Sequence, residues 1–186
     1  MLKNESERIF VLPAIITYSN LFLGILAIMF ANSNDLESLK LASILLILAA
    51  ISDKLDGYVA RKLNMTSEFG KQLDSLSDII SFGIAPIIIS LNFGLINMSI
   101  VSIFISLIYV GCGVFRLARF NILENDMYIY GLPITISGLI IAIKHIVDIL
   151  FRLDRINKQI LLNENIFLIV ILSLLMTSNF KIKKPF

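Results

Sequence analysis

DKLDGYVARKLNMTSEFGKQLDSLSD, residues 53–78, is the stretch that decides how this 186-residue chain folds. Its four aspartates, Asp53, Asp56, Asp74 and Asp78, lie in two otherwise apolar segments, residues 39–63 and 69–91. The first two are three residues apart and the last two are four apart, so each pair lies on one face of a helix. Because only a short connection separates the two helices, we expect them to be antiparallel neighbours whose carboxylates face a common pocket.

The sequence on both sides of this stretch is typical of a membrane protein. Hydrophobic residues make up 57% of the chain, charged residues only 16%, and the mean hydropathy is +0.87. A helix needs about 20 apolar residues to cross the hydrocarbon core of a bilayer. We therefore predict an all-α integral membrane fold with a short polar N-terminal segment, a single domain over residues 1–186, and six transmembrane helices at residues 10–31, 39–63, 69–91, 95–120, 131–151 and 160–179.

Positive charges predict the orientation of these helices in the cell membrane, because Lys and Arg concentrate on the cytoplasmic side. One side has Lys3, Arg8, Arg61, Lys62, Lys71, Arg116, Arg119, Lys181, Lys183 and Lys184, and the other has Lys40, Arg152, Arg155 and Lys158. Both termini and the carboxylate pocket are therefore expected on the cytoplasmic side of the membrane. A net charge of +2 gives no reason to expect a nucleic-acid partner, and the single cysteine excludes an intrachain disulfide.

Four carboxylates at membrane depth require partners, because each costs about 2.5–3.5 kcal/mol at the centre of a spanning helix. Oxygen ligands suit hard divalent cations, so Mg²⁺ or Mn²⁺ is expected, with Ca²⁺ able to occupy the same site. Four carboxylates suffice for two such ions if some of them bridge. His145 and Cys112 lie on other segments, which argues against zinc.

Small and basic residues accompany the acids. Gly57 and Ala60 share the helix face of the first pair, where a bulky ligand can approach the backbone, and Arg61 suits a phosphate oxygen. Gly70 lies one turn before the second pair. The alternative is that these glycines and the alanine are small residues at a helix crossing.

The stretch beginning at Asp53 resembles the complete signature of the CDP-alcohol phosphotransferase family, D-x2-D-G-x2-A-R-x8-G-x3-D-x3-D. The resemblance implies a six-helix fold, a homodimer, and a cytoplasm-facing pocket for metal ions and a CDP group. It implies that Asp53, Asp56 and Asp74 are metal ligands. It also implies that Asp78 is a metal ligand, the general base, or both.

The same resemblance implies a binding site for the CDP-lipid. Its expected contacts on the second and third helices are Gly57, Ala60, Arg61, Ser67 and Gly70. The first helix offers Pro13, Thr17 and Asn20, which alternatively mark a kink with satisfied polar side chains.

Further segments resemble the serine-using branch of that family, the phosphatidylserine synthases. They include Ser19–Gly24, Ser67–Gly70, Ser81–Pro86, Arg116–Asn121 and Gly131–Pro133. The resemblance implies transfer of the lipid phosphate of CDP-diacylglycerol, or of archaeal CDP-archaeol, to L-serine with release of CMP. Arg116, Arg119 and Asn121 are the expected contacts of the serine, although the two arginines also suit a pair that only sets membrane topology.

Two rival functions stay open from the sequence. Within the family, the acceptor alcohol could be another one, such as glycerol phosphate or inositol phosphate. From a different class, a divalent-cation transporter would also need intramembrane acids, but it predicts acids distributed through the depth of the membrane and two related halves.

Overall fold

A computed structural model describes residues 2–33, 35–62, 67–92, 99–123, 128–151 and 157–183, and almost all of them are helical. The helices are α1 (Leu2–Ala31), α2 (Leu36–Lys62), α3 (Glu68–Asp78), a π-helix (Ile79–Ile84), α4 (Ala85–Asn92), α5 (Ile100–Ile122), α6 (Ile134–Phe151) and α7 (Lys158–Thr177). Two short strands, β1 (Tyr128–Tyr130) and β2 (Lys181–Lys183), pair antiparallel.

The helix α3, the π-helix and α4 form one continuous rod, Glu68–Asn92. The π-helix inserts a widened turn directly after Asp78. Such turns are rare in proteins overall, and those that occur are often at functional sites. The rod is central, since its π-helix contacts α1, α5 and α6. Around it, α1 packs along α2, α2 along α6, and α5 along α7.

Close packing holds the rod in place. Phe82 of the π-helix is fully buried, and its backbone carbonyl accepts a hydrogen bond of 3.0 Å from the Tyr109 hydroxyl on α5. On α6, a Cβ added at Gly138 would lie 2.8 Å from the Cβ and 3.0 Å from the Cα of Phe82. Only glycine allows α6 to approach the rod this closely.

The apolar surface identifies a helical, multi-pass membrane protein. In the described residues, four helices are long and apolar enough to cross a bilayer: Glu68–Asn92, Ile100–Ile122, Ile134–Phe151 and Gln159–Thr177. A shorter apolar helix covers Thr17–Ala31, and α2 carries charged residues near both ends. Large side chains such as Ile100, Phe104 and Leu107 point outwards, as expected for contact with lipid rather than water.

The structure adds two features to the sequence prediction. The polar N-terminal residues are helical, because the helix α1 begins at Leu2. The strand pair is not predicted from the sequence, because three residues are too few to show an alternating pattern. Gly131, with a φ of +69°, turns the chain from β1 towards α6, and this backbone conformation favours glycine.

A second polar cluster lies on α6 and its neighbours, far along the chain from the aspartates. Lys144 pairs with the fully buried Asp148 at 2.5 Å and with Glu164 of α7 at 3.4 Å. His145 Nε2 lies 2.8 Å from the Ser90 hydroxyl. These contacts satisfy buried polar groups and connect α6 to α4 and α7.

Candidate active site

Three carboxylates from two helices meet in one place. One oxygen each of Asp53, Asp74 and Asp78 lies within 4.8 Å of the other two. The helix α3 packs mainly against α1, whereas α2 contacts the rod mainly at α4. The two acidic helices therefore diverge towards their connected ends, and the carboxylates face the space between them. Asp56 belongs to α2, but its side chain lies outside the described part of the structure.

Asp78 is the most deeply placed of the three. Its side chain is buried and accepts a hydrogen bond of 3.1 Å from the Asn20 amide nitrogen on α1. Asp53 and Asp74 exert electrostatic repulsion on it, and Arg116 of α5 attracts it. Four elements of the fold thus contribute charge or hydrogen bonding to this carboxylate.

Arg116 is a buried cation next to the carboxylates. It is 6% exposed, and it interacts electrostatically with Asp78 and Asp53. Its guanidinium carbon lies 5.2 Å from the centre of the Phe120 ring. Within the described residues its Nε atom has no hydrogen-bond partner, which leaves a buried donor at the edge of the carboxylate pocket.

Arg119 has different surroundings, although it is only three residues further along α5. Its guanidinium donates to the Ser178 carbonyl at 2.9 Å and to the Asn179 side-chain oxygen at 3.1 Å. It also lies 5.8 Å from the ring centre of Tyr130. These contacts join α5 to the end of α7 and to β1, and they do not bring Arg119 to the carboxylates.

Ser67 and Asn121 form hydrogen bonds with the two ends of α3. The Asn121 amide donates to the Ser75 hydroxyl at 3.0 Å, so α5 is tied to α3 next to Asp74. Ser67 is the N-cap of α3, and its hydroxyl accepts a 3.0 Å bond from the Gly70 backbone N–H. A Cβ at Gly70 would lie 3.1 Å from that hydroxyl oxygen, which explains the small residue there.

The remaining expected residues are only partly described. Thr17 is buried on α1, one turn before Asn20, and Gly57 is half-buried on α2. The side chains of three further residues lie outside the described part: Pro13, Ala60 and Arg61.

The sequence assigned no role to three residues that shape the site: Gly24, Ser75 and Ser81. The Ser81 hydroxyl donates to the Asn20 backbone carbonyl at 3.1 Å, and a Cβ at Gly24 would lie 2.9 Å from the Ser81 Cα. Gly24 and Ser81 lie in segments that resemble the phosphatidylserine synthases, although the resemblance gave them no individual role. The signal for Ser75 is only its small size, which many unrelated residues share.

The donor set fits a divalent metal. Three carboxylates with converging oxygens are the ligands that Mg²⁺, Mn²⁺ and Ca²⁺ prefer. Without a cation, three like charges this close would repel strongly, and the charge of Arg116 alone cannot neutralise all of them. The acids of the second polar cluster, Asp148 and Glu164, form ion pairs with Lys144.

Comparison with known proteins agrees with this description. The family model described as CDP-alcohol phosphatidyltransferase matches residues 10–177. A CDP-diacylglycerol–serine O-phosphatidyltransferase of Helicobacter pylori is 37% identical over 93% of this chain and 72% of its own length. The Bacillus subtilis protein of the same description is 33% identical, with 71% of this chain and 73% of the relative covered. An archaetidylserine synthase of Methanothermobacter thermautotrophicus is 37% identical over 70% of this chain and 56% of its own length.

Proposed function

Because the chain belongs to the CDP-alcohol phosphatidyltransferase family, we propose that it transfers the phosphatidyl or archaetidyl group of a CDP-lipid to L-serine and releases CMP. The observation that carries the proposal is the cluster of Asp53, Asp74 and Asp78 beside the buried Arg116, inside a membrane protein. The cluster suits a diphosphate with its metal, and the Arg116 Nε donor, which has no partner among the described residues, suits an anionic acceptor.

The reaction is a substitution at phosphorus. The hydroxyl oxygen of serine forms a bond to the lipid-side phosphorus of the CDP-lipid, the bond from that phosphorus to CMP breaks, and CMP departs with the electron pair. Asp78 accepts the hydroxyl proton, for which its place beside the other two carboxylates is suitable. Catalysis then depends mainly on positioning and charge.

Asp53, Asp56, Asp74 and Asp78 would hold two divalent cations, Mg²⁺ or Mn²⁺, with Ca²⁺ as a further possible occupant. Bound cations neutralise diphosphate charge and stabilise the departing oxygen. The carboxylates of the chain set where that charge lies, and the burial of Asp78 limits the access of water to the reacting hydroxyl.

For the serine we propose Arg116 and Asn121 as contacts. The guanidinium of Arg116 can pair with the serine carboxylate, and a charged pair in a buried site is strong. Arg119, which the sequence also suggests for serine, has a different proposed task. Its guanidinium donates to the carbonyls of Thr177 and Ser178 at the end of α7. These bonds favour a role in fixing the end of α5, which carries Arg116.

We propose that the CDP group contacts small residues and the N-cap serine of α3 near the carboxylates, and that Arg61 contacts its phosphates. Of the three proposed residues on α2, only Gly57 has a described burial, and it is half-buried. The other proposed contacts are Pro13, Thr17, Ala60, Ser67 and Gly70.

A groove between α2 and α6 is a suitable place for a hydrocarbon chain of the lipid. It has a volume of about 440 Å³ and an almost entirely apolar lining. Lys54 of α2, the residue after Asp53, is one of its lining residues, and we propose that a chain held there extends into the bilayer. Lining residues include Ala50, Lys54, Leu55, Leu139 and Ile143.

The finer architecture is also a proposal. We propose six spans, which adds α1 and α2 to the four apolar helices, in one domain over residues 1–186 of a homodimer. We place both termini and the site on the cytoplasmic side of the cell membrane. The distribution of Lys and Arg supports this orientation, and so does the need for serine to arrive from the cytosol.

The test is CMP release by purified protein with a CDP-lipid and Mn²⁺ or Mg²⁺, comparing serine with glycerol phosphate, inositol phosphate and no acceptor. Serine-dependent release of CMP is expected, with formation of the serine lipid in equal amount. Release with another alcohol alone would keep the family and reject serine. A folded, metal-loaded protein that releases no CMP with any acceptor, yet carries the cation across vesicles, would be a transporter.

A further inference from the structure

Asn20 has a contact that its expected role as a CDP-lipid ligand does not explain. It is fully buried in α1, and its amide nitrogen donates to the Oδ1 atom of Asp78 at 3.1 Å. Among the described residues, its own side-chain oxygen has no hydrogen-bond partner. The amide is therefore oriented by Asp78 and not by any other side chain that the structure describes.

The backbone of α1 is fixed against the rod at the same level. The Asn20 carbonyl accepts a 3.1 Å hydrogen bond from the Ser81 hydroxyl, three residues after Asp78. One turn further along α1, Gly24 lies so close to Ser81 that an added Cβ would be 2.9 Å from the Ser81 Cα. Close backbone packing leaves α1 little freedom, so the amide of Asn20 is presented to Asp78 at a fixed place.

Asp78 needs such a partner because of its charged neighbours. Asp53 and Asp74 repel its carboxylate from one side, and Arg116 attracts it from another. A carboxylate without a fixed donor would be free to turn towards the arginine. A hydrogen bond to one oxygen restricts that rotation and keeps the other oxygen available to the pocket.

We propose that Asn20 is a positioning residue that orients the carboxylate of Asp78 for proton transfer, and that it does not contact the CDP-lipid. This inference rests on the proposed function, since it assigns Asp78 the serine hydroxyl proton. Gly24 and Ser81 serve the same purpose by holding α1 against the π-helix.

The first test is Asn20→Leu, which keeps the approximate size of the side chain and removes the donor. The kcat of serine-dependent CMP release should fall roughly 10- to 100-fold, as is typical when the partner of a working carboxylate is lost. The KM for CDP-lipid, and CDP-lipid binding measured without serine, should stay unchanged. Asn165→Leu is the matched control, because Asn165 is a buried asparagine whose amide donates to the Leu161 carbonyl of its own helix. It should leave kcat unchanged.

A double substitution tests whether Asn20 acts through Asp78. In an Asp78→Glu background the carboxylate is already displaced, so adding Asn20→Leu should lower kcat little further. Ser81→Ala, a milder change, should lower kcat in the same manner but less. The purified double variant and the purified Ser81→Ala variant should both have the melting temperature of the wild-type protein in detergent.

Several outcomes would overturn the inference while leaving the proposed function intact. Weaker CDP-lipid binding with a normal kcat would make Asn20 a substrate ligand. Independent, multiplicative losses in the double variant would show that it does not act through Asp78. If Asn20→Leu does not fold, a wild-type kcat for Ser81→Ala would reject the inference. Failure of the proposed function is distinct, because wild-type protein would then release no CMP with serine.

Discussion

Arg116→Lys should separate binding of serine from every other step of the reaction. The substitution keeps a positive charge near Asp78 and Asp53 and removes the planar guanidinium that can form two parallel bonds to a carboxylate. Because Arg116 is only 6% exposed and its Nε atom has no hydrogen-bond partner among the described residues, that donor is available to a bound carboxylate. We therefore expect the lost interaction to appear in the affinity for serine.

The size of the effect follows from the value of one hydrogen bond between charged groups. Such a bond contributes about 1.5–3 kcal/mol. At about 1.4 kcal/mol for each factor of ten, the KM for serine should rise roughly 10- to 150-fold. The KM for CDP-lipid should change little, since the carboxylates that face the diphosphate are unaltered.

The assay is CMP release over a range of serine concentrations at saturating CDP-lipid and Mn²⁺, followed by the same series with CDP-lipid varied. Arg119→Lys is the matched control on the same helix. Arg119 contacts the carbonyl of Ser178 and the side chain of Asn179. Its substitution should therefore lower the melting temperature and leave the KM for serine nearly unchanged. An unchanged KM for serine in Arg116→Lys, or a larger rise in Arg119→Lys, would refute this assignment.

Three further predictions concern the metal, the core and the lipid. Asp74→Asn should weaken Mn²⁺ binding, measured by calorimetry on purified protein, because it removes one of three converging carboxylates; unaltered affinity would contradict the metal site. Gly138→Ala should destabilise the protein by about 1–3 kcal/mol, because the added Cβ overpacks the contact with Phe82. Gly111→Ala is the control and should be neutral or stabilising, because nothing lies within 4 Å of its added Cβ. Equal melting temperatures of the two variants in detergent would contradict the packing argument. Ile143→Trp should fill the groove between α2 and α6 and raise the KM for CDP-lipid, while Ile136→Trp, exposed on α6 outside the groove, should not; equal effects of the two would remove the groove from the lipid site.

Much of the fold is predictable because its cause is local. The apolar runs predict helices close to those observed: residues 69–91 were expected where Glu68–Asn92 forms, and residues 160–179 where Lys158–Thr177 forms. The spacing of Asp74 and Asp78 puts both on one face of α3 whatever the rest of the chain does. The strands β1 and β2 were missed because each is only three residues long and their pairing joins residues far apart in sequence.

The candidate site is predictable in kind but not in detail. The four aspartates indicate a cation site, and the structure brings together the three whose side chains it describes. The sequence treats Arg116 and Arg119 alike, because three residues along a helix leave both near one face. The structure separates them, since Arg119 reaches the end of α7 and Arg116 reaches the carboxylates.

The sequence by itself determined the helices, the membrane class and the acidic motif, because each depends on residue type and on spacings within one or two helical turns. Only the tertiary structure decided which partners these residues have. The bond from Asn20 to Asp78 joins residues 58 positions apart, and it exists because α1 packs against the rod closely enough for Gly24 to meet Ser81. Contacts across helices depend on how whole surfaces fit together, and no local pattern in one helix specifies that fit.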